Sequence, residues 1–497
     1  MAVQSASDIF CLVKSLSVAE KRHFVIYAGL YERESTKSYL RLFEMIEGMS
    51  EYDEDYLKAR LSVSQFSVLK SRLYHLILKV LSTIGTEKSS DVELRSQLGQ
   101  ATFLSDRGMV DQALRLLDRV RIKAIESGRY EMALQSVRMA IPLVFSSEQL
   151  HELHTRENAL IELTNNLSVF KSLYHQIEAV FRSRGTIRSM DELEDLEKII
   201  RNPALLNYVE DASIENVYWY HLIHIRYYQL VSKLDFAYDH LTRLLLRMQL
   251  NLDLVNGDKV WINRMSSIKL IYLKICVQLD RVVECRFIID ELEEAELPYL
   301  DKVEYYAHLL NYYSRCSNFS EAEYAFGQAQ KIIRRLDKGD LSPCFFPLVY
   351  QMARFLFIKG EYKKSAKYCE LILREREACS TPSYFPAFQL QILSYFELGN
   401  NNLIIVQCKA YGRKLSTCAY SHKADSLFLS MIKKLVSPTR RFKEKVESQA
   451  LNEFTKMLND PFEVQSIMDS EIINWLLARI SGQSVSEIIK EKALDAA

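Results

Sequence analysis

Six times the chain repeats one short pattern. A glycine, replaced in some copies by serine or aspartate, is followed by a spacer, an aromatic or aliphatic residue, two more positions and then a small residue. GEYKKS at 360–365 and SNFSEA at 317–322 are the clearest copies. GMVDQA at 108–113, SKLDFA at 232–237 and DRVVEC at 280–285 are weaker, and GNNNLI at 399–404 is the faintest. Amphipathic helical patterns flank them. The pattern describes the corner of a helical hairpin. The first residue ends one helix in the left-handed region, the ring plugs the corner, and the small residue lets the second helix approach the first. Between corners there is little to stop a helix. Glycine is 14 and proline 9 of 497 residues, below the usual roughly 7% and 5%, so a turn-rich β fold lacks its turn residues. The fold class expected is all-α.

The succession resembles the tetratricopeptide repeat family, helix–turn–helix units of about 34 residues that stack into a superhelix. The best copy runs from Val303 to Leu336. It has Leu309 and Leu310 at the family's Leu-Gly positions, Tyr313 at the tyrosine, Ala322 at the small residue, Phe326 at the aromatic and Ala329 at the next small residue. The following copy keeps Ala353, Gly360, Tyr362 and Ser365. The family's first tryptophan and closing proline are mostly missing. Successive turn residues from 232 to 399 lie 48, 37, 43 and 39 positions apart, so helices are longer or loops inserted. Three regions are expected: a helical N-terminal module over 1–88, a repeat solenoid over 89–420 and a helical cap over 421–497. A solenoid buries its core only by stacking and needs a polar-faced end cap, so the middle should be elongated and hydrophobically continuous.

The resemblance also implies a site. In such repeats the first helix of each hairpin lines a concave groove, and its ninth position faces inward. Counted back from the turns, those positions are Arg226, Lys274, Asn311 and Arg354, a cationic lane suited to an acidic peptide or a carboxylate terminus. The clamp-type pairing of lysine and asparagine four apart is absent, because Leu222, Leu270, Ala307 and Tyr350 hold the partner positions. A non-enzymatic cytoplasmic scaffold or adaptor that binds a protein or peptide is therefore expected.

The remaining features are read more plainly. No GxSxG, GxxxxGK[ST], GxGxxG or HExxH occurs, and neither cofactor nor metal is expected. His151 and His154 share a helix at metal-compatible spacing but lack a third ligand type. His221 and His224 lie among aromatic residues and read as packing at a helix interface. The 64 basic and 64 acidic residues cancel, which removes the strongest prior for nucleic acid or membrane surface. One local exception stands: Arg72, His75 and Lys79 share a face of a helix in the N-terminal module. A transcriptional regulator, with this helix on DNA and the repeats sensing a peptide, is the alternative function. The basic run from Lys433 to Lys445 reads as a solvated face. Nine cysteines without a CxxC suggest reduced thiols in a cytoplasmic setting. No apolar run approaches the ~20 residues of a membrane helix, and no secretory leader is expected at the N-terminus.

Overall fold

A computed structural model describes residues 6–29, 34–49, 52–61, 65–85, 90–208, 213–252, 258–334, 342–375, 381–417, 422–436 and 443–495. Residues 86–89, inside the stretch 85–90 that reads as a linker in the sequence, two of the cysteines and Arg440 and Arg441 lie outside them. Among the described residues there are α-helices and two short 3-10 turns, and no strand.

The corners form where the pattern places them. Gly108, Gly360 and Gly399 have φ of 73°, 79° and 69°, and Ser232, Asp280 and Ser317 have 56°, 53° and 57°. The left-handed backbone is therefore required at these corners even where a side chain makes it costly. The following small residue is buried in five of the six copies as Ala113, Ala237, Cys285, Ala322 and Ser365. Ser365 Oγ donates to the Ala353 carbonyl at 2.8 Å across the hairpin. A seventh corner, GRYEMA at 128–133, satisfies the same pattern, with Gly128 at φ 73° and Ala133 fully buried.

The chain divides into two compact units, residues 1–157 with 257–259, and 158–256 with 260–497. In the first, the helices Ala6–Ser15, Val18–Gly29, Glu34–Gly48, Glu54–Leu61 and Phe66–Gly85 close on a core that includes Val13, Phe24, Phe43, Leu57 and Leu73. Ser17 and Glu20 form a reciprocal cap: Ser17 N–H donates to Glu20 Oε2 at 2.8 Å and Glu20 N–H to Ser17 Oγ at 3.3 Å. Hydrogen bonds from Lys58 and Lys70 draw the Glu54 carboxyl down to about 2. Three further helices, Ser90–Asp106, Val110–Glu126 and Tyr130–Ala140, follow.

The second unit stacks hairpins. Ile214–Leu230 pairs with Leu234–Gln249, Lys259–Gln278 with Val282–Glu293, Tyr299–Arg315 with Phe319–Arg334, Phe346–Ile358 with Tyr362–Leu373, and Tyr384–Glu397 with Asn401–Thr417. Their core runs in two clusters bridged by Phe319, Ile333 and Tyr368. The expected hydrophobic continuity is present. Phe462 packs on the front cluster of Phe170, Leu173 and Ile223. At Gly185 an added Cβ would lie 3.0 Å from Pro382, so the front of this unit meets its rear. The segment expected to be a cap is also more than an end cover. Ile467, Ile472, Trp475 and Leu476 are buried in the same core as the last repeats.

Candidate functional site

The site is built from first helices. On Tyr299–Arg315, the residues Glu304, His308, Asn311 and Arg315 stand at i, i+4, i+7 and i+11, one face of a 3.6-residue period. The neighbouring first helices join this face. Ser267 Oγ donates to Asp301 Oδ2 at 3.1 Å and Arg315 Nη1 to the Val277 carbonyl at 2.8 Å, which ties Lys259–Gln278 to Tyr299–Arg315. Arg354 Nη1 donates to Asn311 Oδ1 at 2.6 Å, which brings in Phe346–Ile358. Arg226 and Lys274 meet over a shared ring, at 4.4 and 5.0 Å from the Phe181 centroid. The four residues expected to form the lane are thus adjacent in sequence-ordered pairs, Arg226 with Lys274 and Asn311 with Arg354.

Their availability differs. Arg226 is committed: its Nε lies 2.9 Å from Glu178 Oε2, and its Nη1 donates to Gln229 Oε1 at 2.8 Å. Burial works to raise the Glu178 carboxyl, but Arg226 and Arg182 bring it below the usual range. Arg354 is sealed. It is 5% exposed, and its Nε donates to Glu471 Oε1 from the C-terminal segment. Beside it, Tyr350 Oη donates to the Asp469 carbonyl at 2.6 Å. Arg315 reaches the Val277 carbonyl and Asp280.

Lys274 is left without a hydrogen bond or ion pair among the described residues. Burial lowers its pKa, and the Arg226 charge adds to that. Glu304, exposed at the rim of the same face, is also unpaired there. Protein packed around it raises its carboxyl pKa, against the pull of Arg226 and Lys274. Burial and the Lys274 charge hold the His308 imidazole neutral, its pKa lowered to about 3. The arrangement offers an ammonium, a carboxylate and a neutral imidazole on one wall. These groups recognise charge and hydrogen-bonding partners.

Elsewhere the expectations resolve by burial. His221 is buried and its Nδ1 lies 3.0 Å from His240 Nδ1, while His224 and His240 stack at 4.7 Å. This is interface packing, with Tyr220 and Tyr228 around it. His240 was not visible in the sequence as a member, because it comes from the other helix of the hairpin. His151 and His154 are exposed, and no group of three metal-ligating side chains forms among the described residues. Arg72, His75 and Lys79 do share an exposed face. Glu178, Phe181, Glu304 and Glu471 were missed. Glu304 is recoverable from the period of Asn311. Glu471 carries only a faint signal, an acid placed directly before the apolar run at 472–477.

The sequence matches no protein-family model, and no curated protein resembles it. Among solved structures, the crystal structure of yeast Tom70 is similar at a TM-score of 0.29 and 10% identity, covering 82% of this chain and 95% of that one. Among the described residues, no helix is long and apolar enough to cross a membrane.

Proposed function

We propose that this chain is a non-enzymatic scaffold that holds a segment of a partner protein against the inner face of its second unit. The observation that carries the reading is Lys274, an ammonium half-buried on a wall of stacked hairpins, 5.0 Å from the Phe181 ring centroid and without a hydrogen bond or ion pair among the described residues. Buried charges are ordinarily paired, so one left open points to a carboxylate supplied from outside. Arg226, Asn311 and Arg354 frame it and set the wall's position. A cytoplasmic setting suits the buried thiols of Cys276, Cys285, Cys369 and Cys408, which are free and gain nothing from an oxidising compartment.

Affinity capture on the full chain after nuclease treatment, with Lys274→Glu in parallel, tests this. A partner held by wild type and lost by the variant is expected. A partner profile identical in both refutes the inner face as the binding surface. A second reading, a regulator that touches DNA, draws on one observation, the exposed face of Arg72, His75 and Lys79. It requires binding that weakens steeply with salt and is lost on Arg72→Glu with Lys79→Glu.

A further inference from the structure

The inner face is occupied at both ends by the chain itself. At the front, the end of the Ser147–Arg184 helix lays Glu178 and Phe181 against Arg226. At the rear, the turn at 469–471 covers Tyr350 and Arg354. What remains open is a short window between them, holding Lys274, Glu304 and the neutral His308. Its charge is mixed. Arg226 and Arg354 are answered by Glu178 and Glu471 and Arg315 by Asp280, and among the described residues Lys274, Glu304 and Asp469 are left without an ion pair. A uniformly acidic peptide satisfies Lys274 but brings its next carboxylates toward Glu304 and Asp469. Like charges brought together in this way are penalised.

We propose that the window binds an extended segment of a partner protein that carries one acidic and one basic side chain on the same side, the acid on Lys274 and the base on Glu304. The proposal rests on the scaffold reading above and narrows its ligand from acidic to mixed charge. The spacing follows from helix register. The contacts of Ser267 with Asp301 and of Val277 with Arg315 set offsets of 34 and 38 residues between the two helices. Lys274 is therefore level with residue 310, six residues beyond Glu304. Six residues of helix rise about 9 Å, and neighbouring helix axes lie roughly 9 Å apart. The two positions are thus about 13 Å apart. An extended strand advances about 3.3 Å per residue and returns to the same side every second residue. The matching spacing is four residues, with two residues within reach of the flexible lysine and glutamate stems.

The test is selection from a phage-displayed random dodecapeptide library on the full-length chain, read by sequencing. Fluorescence anisotropy on a synthetic copy of the most enriched peptide follows. Wild type is expected to enrich an acid and a base two or four residues apart. Lys274→Glu should erase the acidic preference alone, and Glu304→Lys the basic preference alone. Each should weaken the wild-type peptide about tenfold, near 1.4 kcal/mol. Lys274→Met and Glu304→Gln, which remove charge without juxtaposing like charges, repeat the test if either reversal lowers the melting temperature. Enriched peptides that are uniformly acidic overturn the mixed-charge window and leave the scaffold reading standing, whereas a motif unchanged by Lys274→Met overturns the window and refutes this face as the binding surface. No enrichment on wild type overturns both.

Discussion

Removing the Glu471 carboxylate gives the sharpest test of how the face carried by the first helices is built. The side chains of Arg354 and Glu471 are 6% and 0% exposed, so neither charge falls back on water when the other is removed. Burial opposes the Arg354 charge, and Glu471 more than restores it. In Glu471→Ala the guanidinium keeps only Asn311, a neutral acceptor, and Asn474 loses the acceptor of its own 2.8 Å hydrogen bond. Breaking one side of a buried pair costs about 3–5 kcal/mol, a large part of the ~5–15 kcal/mol typical of a domain. Urea unfolding followed by tryptophan fluorescence suits the question, because Trp475 sits one helical turn past Glu471, buried, with its indole N–H on Glu397 at 2.7 Å. Arg354→Met should cost less than Glu471→Ala, since it leaves a carboxylate that Asn474 still bonds. The double variant Arg354→Met with Glu471→Leu should recover most of the loss, because replacing both buried charges by apolar groups is often neutral or stabilising. A loss under about 1 kcal/mol for Glu471→Ala, or strictly additive losses in the double variant, would refute the pair as the lock of this face.

Three other outcomes are expected. Ser317→Gly should stabilise by up to about 1 kcal/mol in thermal melts, since Ser317 sits at φ 57° with its buried Oγ unbonded and glycine carries no left-handed penalty. The His221, His224 and His240 cluster should make the second unit acid-sensitive. Burial lowers these imidazoles to about 4, 4 and 3; for His221 and His240 the neighbouring imidazoles and Arg243 add to it, as does Arg247 for His221. The folded state therefore binds fewer protons, and stability present above pH 6.5 is lost as pH falls below it. Urea midpoints that stay flat from pH 7.5 to 5 contradict this. Asp425 works in the opposite sense. Burial raises its carboxyl to about 6, with Tyr411 and Gln389 both donating to Oδ1. Stability falls as pH rises from 3.8 to 6. Asp425→Asn keeps both acceptor contacts, so it should be neutral or more stable at pH 7.5, while Asp425→Ala should lose stability.

The corners were legible because they are local. A left-handed residue, a plug and a small residue within six positions decide the geometry without help from elsewhere. The copy at Gly128 escaped because it follows Gly108 by only 20 residues, too close for a unit of two full helices. The lane was legible for the same reason, since counting back from a corner fixes which way a side chain on the first helix turns. What covers the lane was not. Arg354 meets Glu471 across 117 residues, and nothing periodic marks a partner so distant. Of the three bases in the expected lane, Arg226 and Arg354 are paired inside the protein with Glu178 and Glu471, and neither carboxylate was legible beside its base in the sequence. Reversing all three charges together would break two structural ion pairs and confuse unfolding with lost binding.

Lys274 separates these roles, because the two readings of it predict opposite signs of stability. If its ammonium belongs to a binding window, the free protein carries an unpaired, desolvated charge next to Arg226. Among the described residues its compensation is the Phe181 ring at 5.0 Å, a contact worth about 0.5–2 kcal/mol, and the pull of Asp469, Glu304 and Glu178 without a direct ion pair. Lys274→Met keeps the stem, removes the charge and should then stabilise the unit, in the range of about 0.5–2 kcal/mol found when a functional strain is relieved, while abolishing peptide binding. Arg226→Met is the control. It strips Glu178 of its buried partner, leaving only the exposed Arg182 beside it, and should destabilise. If Lys274→Met destabilises as Arg226→Met does, the ring contact and the distant carboxylates already satisfy Lys274, and no open window faces the partner. A gain in stability coupled to a loss of binding is a result that internal packing alone does not produce.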